Sequence, residues 1–101
     1  MAVRGHSMEP ALREGDWLFV LPPRASPRAG DVVLVRDPRE RTRLLLKRIA
    51  DVVTGGVVVL GDHGDHSTDS RVFGAIPLAD VVGRAAFRYA PLRRAGPLRG
   101  A

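Results

Sequence analysis

The chain has no cysteine, which removes disulfides and thiolate metal sites from consideration and leaves its redox compartment open. Aromatic residues are scarce, with one Trp, one Tyr and three Phe, so a base-stacking surface for nucleic acid has little to work with. No apolar stretch approaches the ~18 residues that a membrane span requires. The start, Met1-Ala2-Val3-Arg4, is too short and too polar to read as a secretion signal. These absences lead to the expectation of a soluble, cytoplasmic protein. What is present in quantity is positive charge: a formal +5 over 101 residues, with 45% hydrophobic residues. Such a balance fits nucleic acid, an anionic surface or an acidic substrate. The arginines, however, are spread along the chain, from Arg36, Arg39, Arg41, Arg43 and Arg48 to Arg93, Arg94 and Arg99. That distribution reads as a solvated surface, and no nucleic-acid partner is expected.

A chain of this length makes one domain with one modest core. Short β-branched runs bounded by Gly, Pro and Asp read as strands. They fall at 16–21, at 32–36, in a lysine-bearing strand near 43–50, at 57–60 and near 81–89. Gly55-Gly56 turns the chain, 61–71 is a polar loop, and a single helical turn fits at 10–14 or 77–80. No helix-length periodicity is found. The expected class is all-β, a small folded sheet or barrel-like core over residues 1–90. Residues 91–101 form a basic tail expected to be disordered.

Three segments carry chemistry. The first is Gly5-His6-Ser7-Met8-Glu9-Pro10-Ala11-Leu12, followed by Gly15-Asp16. Ser7 there could cap a helical turn, or stand on an exposed turn as a nucleophile. The second is Leu44-Leu45-Leu46-Lys47-Arg48-Ile49, forty residues later. Lys47 could be a surface lysine with its stem laid along the sheet. Alternatively, burial among leucines disfavours the ammonium and makes the amine a base. Moving a lysine from a pKa of about 10.4 to roughly 7–8 requires about 4 kcal/mol of differential stabilisation. Strand alternation groups Lys47 with Leu45 and Ile49, and Arg48 with Leu44 and Leu46, so parity does not choose between the cations. Chemistry does, because arginine remains charged and cannot accept a proton. The third segment runs from Gly61-Asp62-His63-Gly64-Asp65-His66-Ser67 through Thr68-Asp69-Ser70-Arg71 to Phe73-Gly74. It reads as a surface loop first. A metal site is the weaker reading, because the loop imposes no ligand geometry and offers no cysteine. No metal or cofactor is expected.

In this order and spacing the three segments resemble the boxes of the type I signal peptidase family of serine–lysine proteases. The serine box, S-M-x-P-T-L then G-D, is matched by Ser7-Met8-Glu9-Pro10-Ala11-Leu12 and Gly15-Asp16. The lysine box is matched by Lys47-Arg48. The last box, G-D-N then S-x-D-S-R and an aromatic-glycine, is matched by Gly61-Asp62-His63, Ser67 to Arg71, and Phe73-Gly74. The resemblance implies a Ser-Lys dyad in which Ser7 attacks the scissile carbonyl, Lys47 takes its proton, and the Ser7 N–H donates to the oxyanion. It implies that Ser67 orients the lysine and that Asp69 and Arg71 pair to steady the loop. Gly5 stands where some relatives carry an assisting serine, and His63 stands where the family has asparagine.

An N-terminal anchor before the serine box is absent from the sequence, and only about a dozen residues separate Ile49 from Gly61, where relatives carry a long insertion. In these respects the chain looks most like the nickel-type superoxide dismutase maturation proteases, which implies a precursor protein as substrate and removal of its N-terminal extension. The alternatives are signal peptidase-type processing of exported proteins, with an anchor encoded upstream of Met1, and a small basic β-barrel that binds nucleic acid. A self-cleaving repressor-type peptidase would need a DNA-binding domain for which there is no room.

Overall fold

The computed structural model describes residues 3, 8–9, 12–62, 73–90 and 95–98, with the backbone alone at 89. Within these residues the chain forms β1 (Trp17–Leu21), β2 (Val32–Asp37), β3 (Glu40–Val53), β4 (Gly56–Leu60), β5 (Ile76–Pro77), β6 (Val81–Ala90) and β7 (Gly96–Pro97). The strands make one sheet in the order β1-β6-β2-β3-β4-β5, with β7 added beside β6, and every pairing is antiparallel. A 3-10 turn at Leu78–Asp80 occupies the second of the two places where the sequence allows a helical turn. The all-β reading holds, and each strand read from the sequence is found.

The centre of the sheet is β2, hydrogen-bonded to β3 on one side and β6 on the other. Its run Val32-Val33-Leu34-Val35 is buried throughout, as a continuous apolar strand covered on both faces should be. Val32 joins a cluster with Val3, Met8, Leu12, Leu18, Ala85 and Leu98. Val33 and Val35 join a second cluster with Ile49, Val57, Val59, Ile76 and Val81. Two small cores therefore sit on opposite faces of the central strand.

β3 is longer than the sequence suggested. It begins at Glu40, directly after the turn Pro38-Arg39, and its first five residues are exposed. Solvated strand residues carry no apolar alternation, so nothing in the sequence at 40–42 marks the start of the strand. Two ion pairs hold this projecting end. Asp37 accepts hydrogen bonds from the Arg39 N–H at 2.9 Å and from its guanidinium at 3.2 Å, which hold the carboxyl below its usual range against the opposing effect of burial. Arg41 makes a two-pronged bond to Asp80, at 2.7 and 2.9 Å, fastening β3 to the 3-10 turn.

At the far end Gly55 takes a φ of +76° in the turn to β4. A Cβ on Gly56 would lie 2.6 Å from the Ile76 carbonyl oxygen, so β5 can approach β4 only because residue 56 has no side chain. In the segment expected to be a disordered tail, Gly96 and Pro97 pair with Arg88 and Phe87, and Leu98 is buried in the first cluster.

Candidate functional site

Lys47 lies in the middle of β3, opposite Val33 of β2. Its neighbours on that face are Leu45, half-buried, and Ile49, fully buried, both packed in the second cluster. The lysine is itself only 3% exposed. A cation in such a position is far from the bulk water that stabilises an ammonium. The surface-lysine reading is therefore set aside, and the alternation that grouped Lys47 with Leu45 and Ile49 is the one observed.

Arg48 points the other way. Its guanidinium donates to both carboxylate oxygens of Asp62, at 2.9 and 3.0 Å, and to the Gly30 carbonyl at 2.8 Å. These bonds link β3, the turn leading into β2, and Asp62 just after β4. Sequence reasoning quoted both Arg48 and Asp62 but gave neither a task. The available signal was a doublet of cations on an alternating strand, one of which must face away from the lysine's side.

The described residues in and around the serine box are held by backbone and side-chain contacts. Val3 exchanges backbone hydrogen bonds with Gly15 and Asp16, at 2.9 and 2.7 Å. Met8 is 2% exposed, and its carbonyl accepts the Leu12 N–H at 2.9 Å. Asp16 is buried, accepts the Arg13 N–H at 3.0 Å, and pairs with Arg88 of β6 at 2.9 Å. Met8 belongs to the cluster against which Leu46 packs. Met8 and Leu46 thus meet in one apolar cluster, on the face of β3 opposite the one that carries Lys47.

Ser7 lies outside the described residues, as do Gly5, Ser67, Asp69 and Arg71. So does the loop at His63, Asp65 and His66 weighed as a metal site. Among the described residues no helix is long and apolar enough to cross a membrane.

An antiparallel sheet with a buried lysine on one of its inner strands is the frame of the site, and the comparisons give it a family. The family model described as "Signal peptidase, peptidase S26" matches residues 1–53 and 50–90. The chain belongs to that family. It is 43% identical over 70 residues to mitochondrial inner membrane protease subunit 1 of Xenopus tropicalis, covering 69% of this chain and 40% of that protein. To mitochondrial ATP-independent inner membrane protease subunit 1a of Arabidopsis thaliana it is 38% identical over 92 residues, covering 69% and 55%. With the probable signal peptidase I-1 of a Synechocystis strain it shares 43% identity over 47 residues, covering 46% and 24%. The chain therefore spans about half the length, or less, of these curated relatives.

Proposed function

We propose that the protein is a serine endopeptidase that cleaves a precursor protein, with Ser7 as nucleophile and Lys47 as general base. The observation that carries this reading is the burial of Lys47, only 3% exposed on an inner strand, in a chain that belongs to the signal peptidase family. A hydroxyl needs an adjacent base to attack a peptide carbonyl. A lysine removed from water can be that base, because desolvation favours its neutral form. Ser7 attacks; Lys47 accepts the proton and returns it to the departing amine; a water deprotonated by the same amine then releases the acyl group. The Ser7 N–H stabilises the oxyanion, Ser67 orients the amine, and Asp69 with Arg71 steadies the loop. Family membership supports these assignments, and the names of relatives that describe proteases and signal peptidases agree with them.

The finer reading is removal of an N-terminal extension from a nickel-type superoxide dismutase precursor in the cytoplasm. It draws support from the tight β3–β4 hairpin, which turns at Thr54-Gly55 with no inserted subdomain. The relatives' names favour a second reading, signal peptidase-type processing at a membrane. The two part in a direct assay. The purified protein is incubated with the dismutase precursor, and separately with an exported precursor, and new N-termini are read by mass spectrometry. Cleavage of the first by wild type, but not by Ser7→Ala or Lys47→Met, is the expected result. Cleavage of only the exported precursor transfers the assignment to the second reading, and equal turnover by the variants removes the dyad.

A further inference from the structure

One short pattern occurs twice in the chain. Arg13-Glu14-Gly15-Asp16 leads into β1, and fifteen residues on, Arg28-Ala29-Gly30-Asp31 leads into β2. The two turns make the same bonds. Gly15 and Gly30 take φ values of +92° and +96°, and each Asp N–H donates to the carbonyl of the Arg three residues earlier, at 3.0 and 3.1 Å. Each carboxylate accepts the backbone N–H of that same Arg, at 3.0 and 3.3 Å. Each also holds the guanidinium of a further arginine, Arg88 at 2.9 Å for Asp16 and Arg24 at 3.0 Å for Asp31. Both aspartates are only 2% exposed, and a buried carboxylate depends on such donors.

What the turns offer their surroundings is also the same. The Gly N–H and the Asp carbonyl close a pair of backbone hydrogen bonds with one residue of another segment. Gly15 and Asp16 hold Val3 in this way, at 2.9 and 2.7 Å, and Gly30 and Asp31 hold Ile49, at 2.8 Å each. Val3 and Ile49 are both buried, one in each apolar cluster. Val3 lies four residues before Ser7, and Ile49 lies two residues after Lys47. One device, used twice, therefore grips the segment leading to the candidate nucleophile and the strand of the candidate base.

We infer that Asp16 and Asp31 are paired positioning residues, Asp16 for Ser7 and Asp31 for Lys47, an inference that rests on the dyad proposed above. Neither carboxylate meets the substrate; both act through the backbone bonds that their turns present. Displacing a reacting group by about 1 Å can cost about a hundredfold in rate. Loosening the two clamps has different consequences. A slack Asp16 turn moves the hydroxyl and leaves the base alone. A slack Asp31 turn admits water along β3, which favours the ammonium form of Lys47.

Asp16→Asn and Asp31→Asn keep the size of the side chain and remove its charge. On a precursor that wild type cleaves, Asp16→Asn should lower kcat about tenfold or more at every pH, with KM within about twofold. Asp31→Asn should lose a similar factor near neutral pH and regain most of it in alkali. Lys47 is the only lysine of the chain, so NMR with labelled lysine follows its titration directly. That titration should move upward by about one pH unit or more in Asp31→Asn and stay in place in Asp16→Asn. A merely structural role predicts otherwise: both variants lose active molecules as they unfold, while the folded remainder keeps the kcat, pH profile and lysine titration of wild type. That result overturns the inference, as does an equal effect of both variants on the titration. If an Asn variant does not fold, Arg88→Lys and Arg24→Lys, which leave each carboxylate its backbone donor, carry the same comparison. Ser7→Ala and Lys47→Met are assayed alongside. If these are inactive and the Asn variants match wild type, the positioning role falls and the dyad stands. If they turn over like wild type, the dyad falls and the clamps lose their task with it.

Discussion

Lys47 and Arg48 are adjacent cations on one strand, yet they occupy opposite regimes. Lys47 is buried opposite Val33 and on the same face as Ile49, while Arg48 reaches outward to Asp62 and the Gly30 carbonyl. The sheet's two-residue period places a group suited to proton transfer on one face and a group suited to bracing on the other. The same division recurs in the charge inventory. Five arginines serve ion pairs that fix turns and strand ends, and because each pair is neutral the formal +5 is carried by the remaining cations.

Exchanging the regimes should have the largest effect. Lys47→Arg keeps the charge and removes the base, so cleavage should fall to background, as with Lys47→Met; wild-type turnover should rise with pH as the amine deprotonates. A flat profile from acid to alkaline pH would break the contrast between the two cations. Next in size is the C-terminal contact that supports the Met8 cluster. Leu98→Ala should cost about 2–5 kcal/mol, read by urea unfolding, if its packing is as observed. A change within experimental scatter would place that segment outside the core.

Breaking the brace should cost less. Asp62→Ala removes the acceptor for a solvent-reached charged fork and should lower stability by about 0.2–1 kcal/mol, read by urea unfolding; no change would leave the brace without a stabilising part. The smallest effect is electrostatic. Arg41 holds the Asp80 carboxyl below its usual range, so the pair stabilises the fold fully above the unfolded-state pKa of about 4. That contribution is lost as pH falls through the lower folded-state value. Asp80→Asn should therefore flatten the stability profile below pH 4, measured by thermal melts across the acid range; an unaltered slope would dissociate Arg41 from acid unfolding.

The strands were legible because β-branched runs alternate with Gly, Pro and Asp, whereas the central place of β2 emerged only from its pairing with β3 and β6. The start of β3 was not legible, because Glu40 to Leu44 are exposed and offer no burial pattern. Nor were β5 and β7, each two residues long and held mainly by pairing to distant strands. The boxes that mark the family were visible in order and spacing, since chemistry demands particular residue types whatever surrounds them.

By itself, then, the sequence determined the β class, the family and the candidate dyad. Which cation of the Lys47-Arg48 doublet is buried, and which carboxylates Arg24, Arg39, Arg41, Arg48 and Arg88 find, were decided only by the tertiary structure. The reason is physical: alternation assigns residues to faces, but whether a face meets water or a core depends on strands brought from elsewhere in the chain.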